Sequence, residues 1–214
     1  MGIKQLIDKV TNKNQEPKVS NVMLYTEQTP NPETLKFVSN KMLFRGTADF
    51  RTLESAQKWS AFATYLYSLP YVQAVYISNN YVTIQKGINY SWQDIMLQAK
   101  EEIKKLIEAG GEIVKPGYAE AMMEEAKSHV EGYSEEDTEI VVKIKDLIDT
   151  HVKPAVENDG GNIEFRTFEN GIVTVAMQGS CSGCPSSTIT LKAGIEGMLK
   201  RMIPEVQEVI ATAE

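Results

Sequence analysis

The chain has 214 residues, 42% hydrophobic and 24% charged, a size and balance that suit one large globular domain or two small ones. Its net charge of -7 gives no basic excess to neutralise phosphates, which argues against a nucleic-acid partner. No apolar run approaches the roughly 20 residues needed to span a bilayer, so a membrane is not an expected partner either.

In residues 1–20, Ile3, Leu6, Ile7 and Val10 recur at helical spacing, and the polar stretch from Thr11 to Lys18 reads as a tether. A short docking helix and a frayed terminus both fit this pattern. The opening MGIKQLIDKV has no apolar core ahead of a cleavage site, and it is neither Arg-rich nor acid-poor. A cytoplasmic protein is the expectation.

Residues 21–111 read as a small α+β domain. VMLYTEQ and LKFVS have strand composition, and Pro30-Asn31-Pro32 forces a turn between them. From Thr52 the period becomes helical, with Leu53, Ala56, Trp59, Ala63 and Leu66 on one face, and Pro70 stops it. VQAVYIS and YVTIQK then read as a hairpin turning at Asn79-Asn80. Ser91 is placed to cap a second helix with Ile95, Ala99, Ile103 and Leu106 inward, ended by Gly110-Gly111.

Residues 112–137 read as an acidic linker. Pro116 and Gly117 break structure, and Glu120, Glu124, Glu125, Glu131, Glu135 and Glu136 repel one another. Residues 138–214 then predict the order helix, strand, strand, helix, strand. Ile140, Ile144, Leu147 and Ile148 mark the first helix, stopped near Pro154. Glu169-Asn170-Gly171 turns a hairpin, Ile189 to Leu199 is helical up to Pro204, and VQEVIAT is the last strand. The fold class is α+β, two small domains joined by the acidic linker.

Chemistry should sit in Gly179-Ser180-Cys181-Ser182-Gly183-Cys184-Pro185, which leaves a strand and enters a helix. Cys181 and Cys184 are the two cysteines of the chain, and in a reducing compartment such a pair suits metal or redox chemistry better than a structural disulfide. Pro185 fits a first helical turn, so Cys184 lies near the positive helix end, which favours the ligating thiolate. Gly179 and Gly183 remove bulk, so that backbone N–H groups can turn toward the sulfurs, and Ser182 completes the supporting loop. Iron–sulfur clusters usually take four cysteines. The missing two would come from a second copy, another protein or a small thiol, because neither His129 nor His151 has ligand spacing to the loop. On chemistry alone three readings stay open, with the cluster leading. A thioredoxin-like reductase is disfavoured by the preceding antiparallel hairpin, and a closed zinc site needs four ligands.

Pro154 to Ile163, then Gly171-Ile172-Val173, then Gly179 to Ser187, then Thr190 to Glu196 resemble the C-terminal NifU-type domain of Nfu proteins. The N-terminal region resembles the Nfu N-terminal domain through Thr29-Pro30-Asn31-Pro32, Leu35-Lys36-Phe37, Tyr81 to Ile84 and Trp92, departing from it at Trp59-Ser60-Ala61-Phe62 and Tyr71. The resemblance implies an iron–sulfur scaffold or carrier, not an enzyme. It further implies a 4Fe–4S cluster, with 2Fe–2S as the alternative, held by Cys181 and Cys184 of two protomers. The implied partners are a second copy when loaded, an upstream cluster donor and apo client proteins. Asp159-Gly160-Gly161 reads as a turn in which glycine serves the backbone angles.

Overall fold

The computed structural model describes residues 21–127, 135–182 and 185–213. They form two compact units, one taking in Glu33–Tyr118 and the strand before it, the other Ala119 onward with the short segment Thr29–Pro32. The expectation for residues 1–20 lies outside the described residues.

The first unit is a five-stranded sheet in the order β1-β2-β5-β4-β3. Its strands are β1 (Leu24–Gln28), β2 (Thr34–Ser39), β3 (Phe44–Phe50), β4 (Val72–Asn79) and β5 (Tyr81–Lys86). Each neighbouring pair is antiparallel. Asn79 has φ 45° and turns the β4–β5 hairpin, as its tolerance of the left-handed region predicts. Strand β3 has no clean alternation in the sequence, because its register slips between Phe44 and Thr47. Gly46, at φ 129°, sits inside that slip, and Ala48 and Phe50 still reach the core.

The helical stretch after Thr52 is two helices, α1 (Leu53–Trp59) and α2 (Ala61–Leu66). Ser60 both ends α1 and caps α2. Its extended backbone breaks the helix, its Oγ accepts from Ala63 N–H at 2.9 Å, and it donates to Ile113 O at 2.6 Å. Helix α3 (Trp92–Ala109) starts where Ser91 Oγ accepts from Gln93 N–H and stops at Gly110, φ 67°. It buries Ile95, Ala99, Ile103 and Leu106. Val114 and Tyr118, expected in the linker, are buried in this unit. Tyr118 stacks edge-on against Trp59 and meets Phe44 and Phe50. Helix α4 (Tyr118–Lys127) follows.

The second unit opens with α5 (Glu135–Leu147), continues through a π-turn (Ile148–Val152) and ends its helical run with α6 (Lys153–Asn158). Pro154 therefore does not stop the helix. It falls in the first turn of α6, where its missing N–H costs nothing, and the wider π-turn absorbs the geometry before it. Strands β6 (Gly161–Glu169) and β7 (Ile172–Gly179) form an antiparallel hairpin turning on Asn170 and Gly171, φ 51° and 81°. Helix α7 (Pro185–Met202) then leads to β8 (Glu208–Ala213), which pairs with β7 in parallel. Val141, Ile144, Ile148, Val156, Ile163 and Leu199 belong to the core between helices and sheet.

Candidate metal centre

The cysteine loop leaves the C-terminal end of β7 at Gly179, whose φ of 63° turns the chain in a way other residues rarely adopt. Ser180 and Ser182 are both 1% exposed and Cys181 is 8% exposed, so this polar loop is folded inward. Each buried serine is satisfied by backbone. Ser180 Oγ donates to Asp159 O at 2.6 Å, and Ser180 N–H donates to Gly160 O at 3.2 Å. Ser182 Oγ donates to Gly179 O at 2.9 Å, with its N–H directed to the same carbonyl at 3.3 Å. The Asp159-Gly160 turn before β6 is thereby stapled to the residue preceding Cys181.

Of the predicted site residues, the structure brings Gly179, Cys181 and Ser182 together. Gly183 and Cys184 lie outside the described residues, and so does the expectation that a helix end favours the Cys184 thiolate. At Cys181 burial pushes the thiol pKa up, the Asp159 carboxylate pushes the same way, and only the Ser180 hydroxyl pulls it down.

A cavity of about 660 Å³ opens beside Cys181, lined among others by His151, Val156, Asp159, Leu191 and Ile195. His151, on the π-turn, thus shares a cavity with Cys181 without sequence spacing to suggest it. No group of three or more His, Cys, Asp or Glu capable of holding a metal occurs among the described residues.

The antiparallel hairpin expected ahead of the cysteines is present as β6 and β7, but it does not exclude the reductase arrangement, because β7, α7 and β8 also form a parallel βαβ unit that opens at the cysteine loop. Alternation identifies a strand but not the direction of its partner. The sequence presents Asp159-Gly160-Gly161 as a turn. Their approach to the loop joins positions about twenty residues apart, and no local signal carries it.

Two family models match the chain: the NifU-like domain over residues 144–210 and the scaffold protein Nfu/NifU N terminal over residues 24–110. NifU-like protein 4, mitochondrial, from Arabidopsis thaliana is 38% identical over 191 residues, covering 88% of this chain and 65% of that protein. The human NFU1 iron-sulfur cluster scaffold homolog, mitochondrial, is 38% identical over 190 residues, covering 88% of this chain and 71% of that one. NifU-like protein 5, mitochondrial, from Arabidopsis thaliana is 35% identical, covering 88% and 67%. The chain thus spans about two thirds of the length of these relatives. All three are named as mitochondrial, which overturns the cytoplasmic expectation. That expectation rested on what residues 1–10 lack, and such a lack carries no information on compartment.

Proposed function

The chain belongs to the Nfu family of iron–sulfur cluster scaffold proteins, and from that premise we propose that it holds a cluster on Cys181 and Cys184 and passes it to apo-proteins. Two chains contribute two thiolates each to one 4Fe–4S cluster, so the loaded form is a dimer. With only two ligands per chain, an acceptor presenting its own thiolates can displace them one pair at a time. Gly179, Ser182 and Gly183 support the loop. The first unit has no cysteine, and its role is to recognise a client or the upstream donor.

The observation that carries this reading is the inward-folded loop at the end of β7, with Cys181 set between two serines tied to backbone. The test is anaerobic reconstitution followed by Mössbauer spectroscopy and light scattering. A 4Fe–4S signal with a doubled mass is expected, and Cys181→Ala should abolish both. Full iron and sulfide retention by that variant would sink the assignment.

The βαβ placement of the cysteines favours a second reading, a dithiol reductase. Against it stands Cys181 itself. An attacking thiol needs exposure and a lowered pKa, whereas this one is buried and raised. Cluster-free protein should therefore show negligible turnover with insulin, and fast catalytic reduction would move the chain to that class.

A further inference from the structure

We infer that Gly161 is a positioning residue for the cysteine loop, the floor on which the Cys181 sulfur rests, and that any side chain there expels the sulfur from its seat. Two adjacent glycines serve different ends. Gly160, at φ 81°, adopts a backbone angle that other residues avoid. Gly161 has no such angle, and its constraint is space. A Cβ built on it would lie 2.7 Å from the Gln178 carbonyl oxygen, 2.9 Å from Cys181 Sγ and 3.2 Å from the Cys181 backbone nitrogen.

What yields to such a Cβ follows from what each neighbour is attached to. Gln178 lies within β7 and pairs with Asn162, while Gly161 itself pairs with Gly179, so the strand side is fixed by the sheet ladder. The turn before Gly161 is fixed as well, since Asp159 O and Gly160 O both accept from Ser180. Of the three neighbours the Cys181 sulfur is the only side-chain atom, in contact with Ser180 Oγ at 3.8 Å, and it can turn about its Cα–Cβ bond without moving backbone. The overlap with Sγ is relieved by moving the thiol outward, while the 2.7 Å approach to the Gln178 carbonyl oxygen remains and strains the β6–β7 pairing. The absent side chain at residue 161 sets how far Cys181 Sγ sits inside the loop, and hence the depth at which it can hold iron.

The test uses the full chain and reads the thiol directly. Iodoacetamide labelling at fixed pH, assigned to Cys181 rather than Cys184 by fragment-ion mass spectrometry, should be about tenfold faster in Gly161→Ala than in the wild type, since thiol reactivity follows access. Gly197→Ala, whose Cβ meets no atom within 4 Å and which lies outside the cavity lining, serves as control and should leave the rate unchanged. A Cys181 rate in Gly161→Ala equal to wild type overturns the inference. Should Gly161→Ala fail to fold, a double-mutant cycle decides. Because the overlap involves Sγ, the same substitution in a Cys181→Ala background should lower the melting midpoint less, or restore folding. An equal loss in both backgrounds also overturns it. These arms involve no iron, so they stand whether or not the cluster reading holds. In loaded wild type and Gly161→Ala, the variant should surrender iron to a chelator several-fold faster.

Discussion

Cys181 is buried, yet the proposed chemistry needs its thiolate. Burial first, then the Asp159 carboxylate, holds the proton on sulfur, so loading must release it. Well below a raised pKa the thiolate fraction grows about tenfold per pH unit. The loading rate should therefore climb steadily from pH 7 to pH 9, and Asp159→Asn should load faster than wild type at any one pH. That variant keeps the backbone carbonyl that accepts from Ser180, so the loop geometry is spared. A flat pH profile followed by iron–sulfide absorbance would contradict this. The linkage to stability has the matching sign. The folded state favours the neutral thiol, so its contribution is intact below the ordinary thiol pKa and lost as pH rises through the raised one. In the first unit Tyr65 behaves similarly: its O–H donates to Glu102 at 2.7 Å, chiefly raising its pKa to about 12. Glu102→Gln should lower that value, as read by NMR titration of the ring. No change would mean burial, the second cause, dominates.

At the scale of elements, Ser60 decides whether residues 53–66 form one helix or two. Removing its hydroxyl deletes the α2 cap and leaves Ile113 O without that donor. Ser60→Ala should cost the first unit about 1–3 kcal/mol, measured by urea unfolding followed through tryptophan fluorescence. A loss within about 0.5 kcal/mol, the range of an indifferent surface change, would show the cap to be idle. Ser60 also marks where sequence patterning fails. The apolar face Ala56, Trp59, Ala63, Leu66 continues through the break, because both helices pack on the same sheet, whereas Leu53, expected on that face, is exposed at the first turn of α1. By contrast the Ser91–Gly110 helix is legible in full, since cap, periodicity and stop agree. The hairpin turns at Asn79 and Asn170-Gly171 are equally plain, because positive φ restricts which residues can occupy them. Strand β3 is hidden by its bulge at Gly46, and the parallel direction of β8 by the blindness of alternation to partner orientation. In the cysteine loop the Gly, Ser and Cys pattern marks the candidate site. The inward fold of Ser180 depends on the Asp159 and Gly160 carbonyls and that of Ser182 on the Gly179 carbonyl, groups which every sequence supplies and none advertises.

The whole molecule offers a spectroscopic asymmetry that makes its two units separable in experiment. Trp59 and Trp92 both lie in the first unit, and residues 138–214 contain neither tryptophan nor tyrosine. Tryptophan fluorescence therefore reports the first unit, while circular dichroism reports both. Each unit has the means to fold alone: the first has its own buried Phe37, Phe50, Ile77 and Ile103, and the second a core gathered around Ile144, Ile163 and Leu199. Ile144 is fully buried on α5, and truncating it leaves a cavity that the packed sheet beneath cannot close. Ile144→Ala should cost the second unit roughly 2–5 kcal/mol. If the units unfold independently, the dichroism transition splits or shifts to lower temperature, while the fluorescence midpoint stays at its wild-type value. A fluorescence midpoint that falls in step with the dichroism would show instead that the two units unfold as one cooperative body.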